Sequence, residues 1–343
     1  MSTLTQFCPP SPTFTPTSLP PSLSPRVYLI TGATSGVGLS LAQMLYARHA
    51  TVYLAARSSS NITAAISSLR AACPDSRGRL EALPLDLSDL STVAPAARSV
   101  VEREERLDGL VLNAGVMVPA EGSKGAQGHE LQMATNCLGG YLLLRCLEDL
   151  LIRTAAAAGD VTGTASEVGG SVTEGSGSRS VRVVWLASTL QIGLPKGVIA
   201  WDEERTEPRV LKSQMENYMM SKVGNVFLAQ DTARRLGSKG VLSVAVNPGF
   251  IKTELQRHMP APVSAAMGML FKGPEYGAYS ELFGLLSPEV TPERNGAFVI
   301  PWGRFGALPE NVRAAMKTEG GGGTGVAGRF VEWCERETGA FLG

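Results

Sequence analysis

Val27-Tyr28-Leu29-Ile30-Thr31-Gly32-Ala33-Thr34-Ser35-Gly36-Val37-Gly38 decides the fold. Residues 27–30 form a short β-rich run, Thr31 to Gly38 a glycine turn, and 39–48 a helical stretch. Strand, glycine turn and helix in this order can hold a dinucleotide. Gly32 makes the tight turn, Gly36 lets the backbone approach a pyrophosphate, and Gly38 lets the helix pack closely on the sheet. The helix N-terminus then faces the phosphate charge. The spacing is GxxxGxG rather than the more familiar GxGxxG, so the flanking strand and helix carry the reading.

Downstream, the same alternation continues. Strands are predicted at 51–56, 80–85 and 109–112, the last ending at Asn113, with helices at 62–72 and 91–106 between them. A helix over 130–151 and a strand over 181–187 follow. A helix then runs through Tyr218 to about residue 236, with strands at 241–246 and 297–300 after it. Regular alternation argues for one α/β domain over 26–318: a single Rossmann-type, doubly wound parallel sheet of about seven strands, with helices on both faces. Three segments fall outside the pattern. Residues 1–25, rich in Ser, Thr and Pro, read as a disordered leader. Residues 155–180, dense in Gly, Ala, Ser and Thr, read as an inserted surface loop, and 319–343 as a tail with a short helix near 330–337.

Composition excludes several classes. With 343 residues, 44% of them hydrophobic, the chain can bury a sizeable core. Its 31 basic residues equal its 31 acidic ones, so no overall field draws nucleic acid. Cys8, Cys73, Cys137, Cys146 and Cys334 are scattered without a CxxC pair, which fits a reducing, cytoplasmic setting. His49, His129 and His258 lie at no metal-ligand spacing, so no metal is expected. No apolar run reaches the roughly 18 residues a membrane span needs. The leader has no Lys or Arg before Arg26, which argues against a secretory signal or transit peptide.

The chemistry sits further along. Tyr218 and Lys222 lie at i and i+4 and share a helix face. A tyrosine with its usual pKa of about 10 is a poor acid–base group near neutrality, and an ammonium beside it lowers that value. Ser188, at the end of a hydrophobic strand, can bind a substrate oxygen as charge develops on it, though a serine there is also an ordinary turn former. Arg57, nineteen residues past Gly38, stands where an NAD site would place an acid. An arginine there suits the 2′-phosphate of NADP, the plain alternative being a solvated side chain. Asp86 can bond an adenine amino group or cap the helix that begins near Ser88.

Taken together, these residues resemble the short-chain dehydrogenase/reductase family over about Arg26 to Ile300. Thr31 to Gly38 looks like its cofactor signature, with contacts expected from Thr31, Gly32, Ser35, Gly36, Val37 and Gly38. Asn113-Ala114-Gly115 looks like the family's NAG motif, and Asp86-Leu87 falls at the adenine side. Asn136 matches the asparagine of a proton relay; Ser188, Tyr218 and Lys222 match the catalytic serine, tyrosine and lysine. Pro248-Gly249-Phe250-Ile251-Lys252-Thr253 resembles the PG-x3-T segment, in which Pro248, Gly249, Ile251 and Thr253 would lie along the nicotinamide. Within the family the motifs are closest to the retinol-dehydrogenase-like and protochlorophyllide-reductase-like branch. The chain departs from that branch in having no membrane anchor, in the 155–180 insertion, and in Cys137 after the relay asparagine.

The resemblance implies NADP(H) as cofactor and hydride transfer to or from a carbonyl/alcohol carbon of a small molecule. Tyr218 would move the proton, Lys222 would lower its pKa and hold the ribose, Ser188 would orient the oxygen, and Asn136 would hold a water. It also implies a substrate lid over 254–290, whose first part (254–271) carries Leu255, Met259, Met267, Met269, Leu270 and Phe271 and suits an apolar ligand. A homodimer through the helices after Glu130 and around Tyr218 is a further expectation, as is service in a biosynthetic pathway. Reduction of a C=C bond and non-catalytic NADP sensing on the same scaffold remain alternatives.

Overall fold

The computed structural model describes residue 6 and residues 8–163, 180–189, 193–195, 197–252 and 271–342. The strands are β1 (Val27–Thr31), β2 (Thr51–Ala56), β3 (Arg79–Pro84), β4 (Gly109–Leu112), β5 (Val181–Leu186), β6 (Trp201–Asp202), β7 (Glu207–Pro208), β8 (Val241–Val246), β9 (Phe298–Ile300) and β10 (Arg304–Gly306). The main helices are α1 (Gly36–Tyr46), α2 (Ser59–Ala72), α3 (Val93–Val101), α4 (Gly139–Gly163), α5 (Gln214–Leu236), α6 (Pro274–Leu286), α7 (Glu310–Met316) and α8 (Val326–Thr338).

Eight strands form the main sheet in the order β10-β9-β8-β5-β4-β1-β2-β3. All neighbours pair in parallel except β10, which turns back antiparallel on β9. It is one strand more than the seven expected, because the chain reverses after β9 and adds the short Arg304–Gly306 edge. β1, β4, β5 and β8 are buried along their whole length. That is why they read as unbroken apolar runs, whereas the edge strand β3 alternates. The chain builds outward from β1 to β3, then returns to place β4 on the other side of β1. This reversal opens a crevice above the C-terminal ends of β1 and β4.

One layer of the core holds α3, α4, α5 and α8; the other holds α1 and α6 with part of α2. Arg182, a charge within the otherwise apolar β5, is fully buried and donates to the carbonyls of Ser287 and Val290 just beyond α6. Burial pulls its guanidinium down to about 10, and these carbonyls take up its hydrogen-bonding capacity, pinning α6 to the sheet.

Four expectations need correction. The leader is not disordered where it is described: Leu19 and Leu23 are buried against α1 and its neighbours, and Phe14 meets Phe283 of α6 edge to face. Two apolar side chains among the prolines suffice to dock it. Helix α4 continues through 155–163, since Ala155–Ala158 are good helix formers; 164–179 lie outside the described residues. The lid expected over 254–290 is in its second half a core helix: α6 buries Ala278, Leu282, Phe283 and Leu285 on the sheet, while 253–270 lie outside the described residues. The C-terminal tail docks as well. Phe330 and Cys334 of α8 are fully buried, and an added Cβ on Gly224 of α5 would come within 2.6 Å of Phe330.

Candidate active site

The glycine turn leaves β1 with Gly32 at φ +68° and Gly36 at φ +56°, a region that favours glycine. Asn113, just past β4, reaches across it: Nδ2 donates to the Thr31 carbonyl at 2.8 Å. A Cβ on Gly38 would sit 2.6 Å from that Nδ2 and 2.7 Å from the Gly32 carbonyl oxygen. Gly38 is therefore required by the NAG asparagine as well as by helix–sheet packing. The Thr31 hydroxyl accepts from Ala114 N–H at 3.0 Å and donates to the Val111 carbonyl at 3.3 Å. Thr31 is thus buried scaffolding at the turn.

These residues fit a dinucleotide. α1 begins with exposed Ser35 as N-cap, and that side chain makes no cap hydrogen bond, which leaves the first-turn N–H groups without a side-chain acceptor. Val37 is buried against α6, so only its backbone faces the turn. Arg57 follows β2 directly, is exposed, and has no hydrogen bond or ion pair among the described residues. Asp86 Oδ1 closes the turn after β3, accepting from Ser88 N–H and Oγ at 2.9 and 2.7 Å, while the N-cap of the next helical turn is Asp89. Leu87 is buried beside Gly139.

Three expected catalytic side chains converge at the C-terminal edge of β5. Ser188 lies two residues past the strand; Tyr218 and Lys222 come from the first turns of α5, which Ser213 caps by accepting from Glu216 N–H. Lys222 is 2% exposed, and its Nζ donates to the Leu186 carbonyl at 3.0 Å, a carbonyl that also accepts from Asn225 Nδ2 at 2.9 Å. The Nζ stands 5.7 Å from the Tyr218 ring centre. Burial pushes the Tyr218 phenol up to about 12, with a hydrogen bond to Ser188 opposing, and pulls Lys222 down to about 8. The Lys222 ammonium is thus turned to the Leu186 carbonyl beside the Tyr218 ring.

Asn136 sits in a π-helical turn, Ala134–Leu138. Its Oδ1 accepts from Val116 N–H at 2.8 Å, and its Nδ2 donates to the Val116 carbonyl and to Ser221 Oγ. These bonds brace the loop after Gly115. A Cβ on Gly115 would come within 3.1 Å of Asn136 Oδ1 and 3.3 Å of Lys222 Nζ, which brings the NAG loop to the same point. On the far side, Gly249 packs against Trp302 and Ile251 is buried. Pro248 packs near Gly277 of α6, and Thr253 lies outside the described residues.

The family model for short chain dehydrogenase matches residues 26–177. Short-chain dehydrogenase/reductases of Neocamarosporium betae and Phomopsis amygdali are each 38% identical, over 98% and 97% of this chain and 93% and 95% of their own. The chain belongs to the short-chain dehydrogenase/reductase family. Among solved structures, an uncharacterized protein from Mycobacterium Paratuberculosis superposes with a TM-score of 0.64 at 24% identity, over 95% of this chain and 97% of its own, and so shares the fold. This short-chain dehydrogenase/reductase is therefore an oxidoreductase with a nucleotide-binding Rossmann sheet. Among the described residues, no helix is long and apolar enough to cross a membrane.

Sequence reading missed two groups beside this site. Asn247, at the end of β8, donates through Nδ2 to Thr189 Oγ1 at 3.2 Å and lies 3.4 Å from Gln6 Oε1. Gln6 carried no signal, lying in a segment read as a leader. The second is Glu281, a lone acid within the apolar run of α6, buried and without a hydrogen-bond partner. Its signal was present in the sequence as one of two acids, with Glu275, in a thirteen-residue helix.

Proposed function

We propose that this oxidoreductase uses NADP(H) to interconvert a carbonyl and an alcohol on a mostly apolar small molecule. The observation that carries the reading is the convergence of Ser188, Tyr218 and Lys222 at the edge of β5, next to the glycine turn. A bound nicotinamide cofactor supplies the hydride. Tyr218 gives its phenolic proton to the substrate oxygen in reduction, which burial favours by keeping the phenol protonated through neutral pH. Ser188 holds the same oxygen, and Lys222 supplies a positive charge behind the tyrosine and donors for ribose hydroxyls. Arg57, exposed and unpaired beside the turn, takes the 2′-phosphate. Gly32, Gly36 and the α1 N-terminus take the pyrophosphate; Asn113, Ala114, Gly115, Pro248, Gly249, Ile251 and Thr253 line the nicotinamide side.

An apolar substrate is supported by the methionines of 254–271 and by Met215, exposed near Gly193 beside the Ser188 loop. Five free cysteines fit the cytoplasmic location that goes with this reading. A homodimer through the helices after Glu130 and around Tyr218 would have to accommodate α8, whose Phe330 packs against Gly224 of α5. The test is turnover of NADPH against ketones, aldehydes and enones with product analysis. Carbonyl reduction supports the proposal, and saturation of the C=C bond alone would replace it with the enone reading. NADPH binding without turnover of any class would favour a sensing role.

A further inference from the structure

Glu281 stands in the middle of α6, fully buried, and neither carboxyl oxygen has a hydrogen-bond partner among the described residues. An unpartnered buried acid is costly, so its presence asks for a reason. Its neighbours along the helix fix its position. One turn earlier, Gly277 packs on Pro248, Ile251 and Val37; three residues later, Gly284 packs on Val184, Val244 and Val246. Glu281 therefore lies over the C-terminal ends of β5 and β8. From the opposite layer, Lys222 reaches the same strand ends and donates to the Leu186 carbonyl. Two buried ionisable groups, an acid and a base, thus flank one point of the sheet.

The field between them is mutual. Burial holds Glu281 up at about 8, and Lys222 opposes that rise; burial holds Lys222 down at about 8, and Cys137 and Glu281 oppose that fall. The other titratable groups around α6 are engaged elsewhere. Arg182 of β5 binds carbonyls beyond the far end of the helix, and Arg304 of β10 donates to the Pro301 carbonyl. Tyr28 of β1 and Tyr46 of α1 are buried phenols, and β4, β8 and β9 bring no ionisable side chain. On α6 itself, Glu275, Tyr276 and Tyr279 lie outside the buried face. Around Lys222, the Cys137 thiol is pushed up by burial and stays uncharged, which leaves Glu281 as its ionisable acid.

We propose that Glu281 is a positioning residue for the reaction: as its buried carboxyl ionises on the alkaline side of neutrality, it becomes the counter-charge that keeps the Lys222 ammonium charged behind Tyr218. The proposal rests on the oxidoreductase reading above. With Glu281 neutralised, Lys222 loses its proton at lower pH, and Tyr218 loses the adjacent cation with it.

The experiment has two arms. In the cofactor-free protein, NMR of lysine labelled at Cε follows the titration of Lys222, its signal assigned by loss in Lys222→Met. In the enzyme, kcat/KM for carbonyl reduction is measured against pH. Glu281→Gln is expected to lower the Lys222 midpoint by about one pH unit or more and to move the alkaline fall in kcat/KM down with it. Glu281→Asp should keep most of the wild-type profile. Glu281→Met serves as a second uncharged variant should the Gln variant not fold. An unchanged midpoint in the uncharged variants overturns the proposal, as does a profile scaled in height without displacement. A displaced midpoint in a wild-type background that reduces no substrate would leave the Lys222–Glu281 coupling standing and remove the oxidoreductase reading instead.

Discussion

Arg57 concentrates the cofactor question in one side chain. Arg57 is exposed and has no partner among the described residues, so its guanidinium can meet a 2′-phosphate, a charge-assisted contact of about 1.5–3 kcal/mol. Arg57→Ala should weaken NADPH binding tens-fold and leave NADH binding unchanged, as fluorescence titration would show; equal losses for both cofactors would remove the phosphate role. The acid–base pair gives a pH dependence with a definite sign. Lys222 has its pKa depressed to about 8, so its charge is present below that pH and lost above it, while Tyr218 stays protonated to about 12. Reduction should therefore hold steady near neutrality and decline as pH rises past about 8, on a kcat/KM profile. At this scale the sequence carried much, because Tyr218, Lys222 and Ser188 sit in motifs of fixed order. It could not show that the Asn136 amide bonds Val116 and Ser221, nor that the Thr31 hydroxyl bonds Ala114. Hydrogen-bond saturation is a property of neighbours distant in the chain.

At the level of elements, alternation marked every parallel strand, since burial on both faces leaves the same apolar run in each. The misreadings share one cause: docking by few side chains. Proline-rich composition hid Leu19 and Leu23, and a family lid hid the sheet-facing side of α6. If the leader is part of the fold, Leu23→Ala should cost about 2–4 kcal/mol and lower the unfolding temperature by several degrees. A variant with unchanged denaturation would return the leader to a loose appendage. Gly38→Ala belongs to the same scale, because its Cβ would collide with Asn113 and Gly32 and push α1 away from β4. Weaker binding of both NADPH and NADH is expected, in contrast to the selective loss at Arg57.

Across the whole molecule, the two core layers meet at the strand ends of β5 and β8, and the C-terminal helix closes one of them. Phe330 fills the space left by Gly224 and packs on Phe227 and Trp333, and Tyr141 donates to Glu335 at 3.2 Å. Phe330→Ala should cost about 3–5 kcal/mol, with α8 and the body unfolding in one transition in urea; an early, separate loss of α8 would make it a detachable tail. In the proposed reaction this layered frame brings the hydride of a bound nicotinamide and the proton of Tyr218 to one carbonyl group. The most direct measurement supplies NADPH deuterated at the transferable position together with a bulky apolar ketone and analyses the product by mass spectrometry. The account predicts an alcohol carrying deuterium on its carbinol carbon from the wild-type enzyme, and almost none from Tyr218→Phe, which still binds NADPH. Undiminished labelled alcohol from Tyr218→Phe, or a wild-type product without deuterium on that carbon, would contradict it.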